Sequence, residues 1–122
     1  MGGLMSEHDE QVKLFQWARM SEGRWPELAL MFAIPNGGKR HVAVARKLKA
    51  EGVKAGVPDI CLPVARGRCN ALYIELKHGR NKTTPAQRRW LEALTQAGNR
   101  AVVCYEFEEA RRRLEEYLGG AL

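Results

Sequence analysis

Two charged side chains stand two positions apart near the end of an apolar segment. Glu75 and Lys77 occur in ALYIELK (71–77), whose apolar and β-branched residues predict a strand. Side chains at alternate positions share one face of a strand, so Glu75 and Lys77 project together, while Ile74 and Leu76 face apolar packing. Taken alone, the charged pair is more simply explained as the solvated side of a strand.

Asp59 changes this interpretation. It opens the apolar part of PDICLPV (58–64), which predicts a neighbouring strand. A carboxylate at the mouth of one strand, beside a carboxylate and a lysine on the next, would offer hard oxygen ligands of the kind Mg²⁺ prefers. Such an ion lowers the pKa of bound water, and a lysine can orient that water or stabilise charge on a phosphate. The pattern therefore indicates hydrolysis of a phosphodiester.

The first predicted helix, residues 6–20, carries acids close to its apolar stripe. That stripe consists of Leu14, Phe15 and Ala18. Glu7 and Gln11 are expected near its centre, and Glu10 toward its edge. Polar groups on a buried face are costly unless they are satisfied, and a metal-containing cleft would satisfy them. We therefore expect Glu7 to be a site residue with Glu10 as the substitute, although Glu7 also suits the helix dipole as a plain N-terminal acid.

A basic segment follows a glycine-rich turn. PNGGKR (35–40) is typical of a turn, and residues 41–51 are predicted to form a helix closed by Gly52. Glycines let backbone N–H groups approach phosphate, and basic side chains supply counter-charge, so this segment is predicted to bind DNA rather than form a merely solvated face. The expected DNA contacts are Asn36, Gly37, Gly38, Lys39, Arg40, Arg46, Lys47, Lys49 and Lys54.

The remaining elements complete an α/β pattern. Residues 28–34 predict a short strand, with the tail of a helix as the alternative. Residues 85–97 predict a helix, 100–107 a strand and 107–118 a final amphipathic helix. The resulting order, α-β-α-β-β-α-β-α, predicts a mixed sheet flanked by helices in one domain over residues 1–122. Gln87, in the first turn of the 85–97 helix, either reaches the charged site or only caps its own turn.

Composition restricts the class of partner. The 122 residues carry 20 Lys and Arg against 14 Asp and Glu, a net charge of +6, which favours nucleic acid or another polyanion.

Three cysteines without paired spacing argue against a disulfide framework or structural zinc, and the histidines show no ligand spacing. Cys61 and Cys104 are expected to be buried free thiols. No apolar run approaches the ~20 residues of a membrane span, and no signal peptide is evident, so a cytoplasmic location is expected.

Together these motifs resemble the virus-type replication-repair nuclease (VRR-NUC) family of the PD-(D/E)xK nuclease superfamily. The resemblance runs through nearly the whole chain. It includes Glu7-x-x-x-Gln11, PNGG-x-R (35–40), GVKAGVPD (52–59), ELK (75–77) and P-x-Q (85–87).

The resemblance implies an αβββαβ core and a Mg²⁺ or Mn²⁺ cofactor. It assigns the metal-binding acid to Asp59, the second acid to Glu75 and the catalytic lysine to Lys77. It also assigns a helix-1 acid to Glu7 and a glutamine to Gln87. The implied metal ligands are Asp59, Glu75, Glu7 and the backbone carbonyl of Leu76.

The resemblance also implies a DNA endonuclease, and the small stand-alone members resemble Holliday-junction resolvases of phages and bacteria. One site per chain and two symmetric cuts at a four-way junction favour a homodimer acting on branched DNA. Its interface is expected in residues 25–34 or the last helix. The alternatives are a non-catalytic DNA-binding module with a nuclease fold, and a flap, restriction-type or RNA-cleaving nuclease.

Overall fold

The computed structural model describes residues 5–35 and 41–120, and within them the chain forms a mixed α/β fold. Its elements are α1 (Glu7–Met20), a 3-10 helix (Pro26–Leu30), β1 (Phe32–Ala33), α2 (Val42–Ala50), β2 (Ile60–Leu62), β3 (Leu72–Lys77), α3 (Pro85–Gln96), β4 (Arg100–Tyr105) and α4 (Glu106–Leu118). Apart from α2 and the 3-10 helix, the order from α1 to β4 is the expected αβββαβ.

The four strands form one mixed sheet in the order β1-β2-β3-β4. The β1–β2 and β2–β3 pairs are antiparallel, and β3 and β4 are parallel because α3 makes the crossover between them. In this register Ile60 lies opposite Ile74, and Leu76 lies opposite Cys104. Paired residues share a face, so these four form an apolar face, while Glu75 and Lys77 belong to the other.

The apolar face packs against α1 and α4. Leu14 and Ala18 come from α1, and Leu114 and Tyr117 from α4, with all four side chains buried in the same cluster. The Tyr117 hydroxyl donates a 2.6 Å hydrogen bond to the carbonyl of Val64. The two helices therefore support β3 from one side and leave its charged residues on the other.

Sequence signals at the helix ends are confirmed. Ser6 caps α1 through a reciprocal pair of hydrogen bonds with Asp9, and Thr84 caps α3 in the same way. Gly52 follows α2 with a φ of +98°, a left-handed conformation that favours glycine. The expected free thiols of Cys61 and Cys104 are also buried.

The strand predicted at 28–34 is largely wrong. Residues Pro26–Leu30 form a 3-10 helix, and only Phe32–Ala33 pair with the sheet. Leu28 and Met31 are both buried, three positions apart, which suits a 3-10 turn and not the two-residue repeat of a strand.

The orientation predicted for the first helix also needs correction. The buried residues of α1 are Glu10, Leu14 and Ala18, spaced by one turn each. Glu10 therefore lies on the buried face, whereas Glu7 and Gln11 are only partly covered. The sequence placed the stripe too far toward Phe15, because α4 packs against the Glu10 side of the helix.

No helix among the described residues is long and apolar enough to cross a membrane.

Candidate active site

Asp59 is held between two strands immediately before β2. Its backbone carbonyl accepts a 2.7 Å hydrogen bond from the N–H of Ile34, which extends the β1–β2 ladder. Its carboxylate oxygen Oδ2 accepts a 2.8 Å hydrogen bond from the backbone N–H of Leu76 in β3. Asp59 is thereby fixed beside the β3 segment that carries Glu75 and Lys77.

Glu75 and Lys77 are buried, which removes the interpretation of a solvated strand face. Their exposed fractions are 2% and 5%. The Lys77 ammonium nitrogen lies 3.7 Å from Glu75 Oε2. Charged groups are rarely buried to this extent unless they are paired or bind an ion, so this pair sets the site apart from the rest of the sheet.

Gln87 performs both of the alternatives considered for it. Its side-chain oxygen accepts a 2.8 Å hydrogen bond from the Thr84 N–H and so completes the α3 cap. Its Nε2 donates a 3.3 Å hydrogen bond to Glu75 Oε2. The first turn of α3 therefore lies over the charged face of β3.

The two carboxyls at the centre of the site resist losing both protons. Burial raises the pKa of Asp59 above its ordinary value. Burial, and then the adjacent Asp59 carboxylate, raise the pKa of Glu75 to about 8, against the opposing effect of Lys77. The two carboxyls are also in hydrogen-bonding contact. In the metal-free protein near neutral pH, a proton on Glu75 reduces their repulsion.

One buried oxygen in this site is suited to a cation. Among the described residues, no hydrogen-bond donor reaches Glu75 Oε1, although it is shielded from solvent. A buried carboxylate oxygen without a donor is costly, and a hard divalent ion beside two carboxylates would relieve that cost. The residues present therefore fit a Mg²⁺ or Mn²⁺ ion.

Glu7 lies on the same side as this cluster. Its carboxylate oxygen Oε2 accepts a 2.6 Å hydrogen bond from the side-chain amide of Asn81. Its negative charge adds to the effect of burial in raising the pKa values of Asp59 and Glu75, so its field reaches both carboxyls. Sequence reasoning missed Asn81, whose only signal is its place in the polar loop after the lysine.

Glu10 belongs to a different group of residues. It is 4% exposed, and its Oε1 accepts a 2.8 Å hydrogen bond from the Phe107 N–H, at the start of α4. Its Oε2 lies 3.3 Å from His78 Nδ1. Glu10, His78 and Glu106 each place one potential metal-ligand atom within 4.8 Å of the other two. Because Glu10 accepts a hydrogen bond from the first turn of α4, it has a structural role there, and Glu7 stays the helix-1 acid predicted for the site.

The predicted DNA-binding residues lie on and around α2 as far as the structure describes them. Arg46, Lys47, Lys49 and Lys54 are exposed, and α2 has no buried residue. The predictions for Asn36, Gly37, Gly38, Lys39 and Arg40 lie outside the described residues. The structure therefore presents a basic helix with all of its charges available to a polyanion.

The family models and the solved structures point to one family. The sequence model of the VRR-NUC domain family matches residues 5–107. A solved structure described as a VRR_NUC domain protein superposes with a TM-score of 0.82 at 30% sequence identity, over 98% of this chain and 93% of that one. No curated protein matches the chain. The predicted family and its mixed α/β nuclease-type fold are thus confirmed: the chain belongs to the VRR-NUC domain family, which implies a nuclease-type function in DNA processing.

Proposed function

We propose that the protein is a Mg²⁺- or Mn²⁺-dependent DNA endonuclease. We also propose that residues 1–122 form one catalytic domain. The observation that carries this proposal is the buried carboxylate of Glu75, which has one oxygen without a donor and lies beside Asp59 and Lys77. A cation bound there would lower the pKa of a water molecule and neutralise charge developing on the phosphate. The ligands would be Asp59, Glu75, the backbone carbonyl of Leu76, and Glu7.

Lys77 is suited to act on the attacking water and the phosphate. Its ammonium group is buried and lies 3.7 Å from Glu75 Oε2. A fixed positive charge in a site with little water stabilises negative charge on a phosphate more strongly than an exposed lysine does. Lys77 would therefore orient the water or stabilise the transition state, and Gln87 would keep Glu75 in place.

The basic surface of α2 supports binding of the DNA backbone. Arg46, Lys47 and Lys49 are exposed on one short helix, and the whole chain has a net charge of +6. Contacts of this kind release counterions, so DNA affinity should fall steeply as the salt concentration rises.

Selectivity for branched DNA and dimerisation form a further part of the proposal. Two symmetric cuts need two sites, and a two-fold homodimer supplies them. Leu30 and Phe32 support an interface in residues 25–34, since these large apolar side chains remain 56% and 48% exposed. Sedimentation at micromolar concentration should give a dimer, and a monomer throughout would contradict this part.

The decisive experiment is a cleavage assay on four-way junction, flap, nicked and duplex DNA, with Mg²⁺, Mn²⁺ or a chelator. Wild-type protein should cleave at least one substrate, the junction most rapidly, and only with metal. Lys77→Met and Asp59→Asn preserve side-chain size and should abolish cleavage while DNA binding persists. Glu92→Gln, on the exposed side of α3, is the matched control and should cleave normally. Binding without cleavage of any substrate would support a non-catalytic module instead.

A further inference from the structure

The loop between β3 and α3 contacts the first turn of α1 at two places, His78 beside Glu10 and Asn81 beside Glu7. Asn81, 74 positions along the chain from Glu7, donates its 2.6 Å hydrogen bond from Nδ2 to Glu7 Oε2. Glutamate has several rotatable bonds, and ordering it has an entropic cost that such a bond offsets. The capping pair of α1, Ser6 and Asp9, holds the helix end but does not hold the Glu7 carboxylate.

Asn81 is itself fixed to the strands that carry the site. The Tyr105 hydroxyl donates a 2.9 Å hydrogen bond to the Asn81 backbone carbonyl. Tyr105 lies opposite Lys77 in the parallel β3–β4 pair, so the two side chains share a face of the sheet. The Asn81 N–H also donates a 3.3 Å hydrogen bond to the His78 carbonyl. These contacts link Glu7 through Asn81 to the strand next to Lys77.

We propose that Asn81 is a positioning residue that orients the Glu7 carboxylate toward a divalent cation held by Asp59 and Glu75, and that Tyr105 holds Asn81 in place. The inference rests on the proposed metal-dependent nuclease function. A carboxylate that accepts a hydrogen bond from an outer partner is pre-oriented for a metal, and removing such a partner typically lowers metal affinity or activity about 10- to 100-fold.

The first measurement is Mn²⁺ binding to the full chain without DNA, by titration calorimetry. Asn81→Ala should weaken Mn²⁺ binding about tenfold. It should raise the Mn²⁺ concentration for half-maximal cleavage to a similar extent, with little change in KM for DNA. Tyr105→Phe removes only the outer hydrogen bond and should weaken Mn²⁺ binding less. Asn70→Ala, at the opposite end of β3, is the matched control and should leave Mn²⁺ affinity unchanged.

A double-variant comparison separates positioning from a general structural effect. If Asn81 acts through Glu7, adding Asn81→Ala to a Glu7→Gln variant should change Mn²⁺ affinity by less than about twofold, because the target of the hydrogen bond is already altered. Fully additive losses would overturn the proposal, as would wild-type Mn²⁺ affinity in Asn81→Ala.

The two levels of the proposal fail in different ways. A wild-type protein that neither binds Mn²⁺ nor cleaves DNA would overturn the metal-dependent function together with the role of Asn81. A wild-type protein that binds and cleaves, with an Asn81→Ala variant that does both equally well, would overturn the role of Asn81 alone. Because Asn81 is exposed, thermal unfolding of this variant should stay close to that of wild type.

Discussion

Replacing Glu75 by glutamine should stabilise the metal-free protein at alkaline pH while abolishing cleavage. The carboxyl is buried beside Asp59, and its pKa is raised to about 8 by burial first and then by that neighbour. Glutamine has nearly the same shape and resembles the protonated acid, so it removes the buried charge without creating a cavity. The substitution Glu75→Gln thus separates the stability of the site from its chemistry.

The size and sign of the effect follow from the two protonation states. The unfolded chain releases the Glu75 proton near the ordinary value of 4.5, whereas the folded chain keeps it up to about pH 8. The folded state therefore binds more protons between these values, and its stability falls as the pH rises through them. This difference corresponds to roughly 5 kcal/mol at most, and solvent screening and proton sharing with Asp59 reduce it. We expect Glu75→Gln to gain about 2 kcal/mol at pH 8.5 and almost nothing near pH 4.5.

Urea unfolding in a chelating buffer at several pH values measures this difference. Glu92→Gln, an exposed acid on α3, serves as the control and should track wild type at every pH. Mg²⁺ or Mn²⁺ should stabilise wild type most at high pH, where the acids are ionised, and Glu75→Gln far less. A Glu75→Gln variant with the same pH dependence as wild type would refute the reasoning, since Glu75 would then not be the proton-retaining group.

Three further substitutions, the first with a control variant, test contacts that support the fold and the site. Gly56→Ala should lower cleavage at least tenfold, because residue 56 has a φ of +90° and an added Cβ would lie 2.8 Å from the α3 backbone. Gly52→Ala is the control, since its backbone is equally strained but nothing lies near the added Cβ. That variant should lose only about 1 kcal/mol of stability and cleave normally. Tyr117→Phe removes a buried hydroxyl with a 2.6 Å hydrogen bond and should lower the free energy of unfolding by about 1–2 kcal/mol in urea; an unchanged value would mean that this bond contributes nothing net. Gln87→Ala should lose about 1 kcal/mol of capping energy in urea and lower kcat about tenfold, and a normal kcat would limit Gln87 to capping.

The centre of the candidate site was predictable from local pattern. Strand periodicity alone places Glu75 and Lys77 on the same face and Ile74 on the other, as the structure has them. Asp59 precedes the adjacent strand, which brings it beside Leu76. The helix caps could also be predicted from the sequence, because Ser6 and Thr84 form hydrogen bonds with residues within one turn.

Sequence periodicity did not determine which helix-1 acid faces the candidate site. Glu7 and Glu10 lie within one turn of each other, and a small rotation of the helix exchanges their surroundings. That rotation is set by α4, whose first turn takes Glu10 as its cap through Phe107. The same limitation applies to 28–34, where the spacing of buried residues depends on packing against the sheet and not on the local run of apolar residues.

The amino-acid sequence by itself placed Glu75 and Lys77 on one face of a strand, because strand geometry repeats every two residues, and put Asp59 directly before the neighbouring strand. Only the tertiary structure decided that Glu75 and Lys77 are buried, and that Asn81 meets Glu7 across 74 positions of chain. Burial and long-range hydrogen bonds depend on which elements pack together, and that packing is a property of the whole fold and not of any local segment.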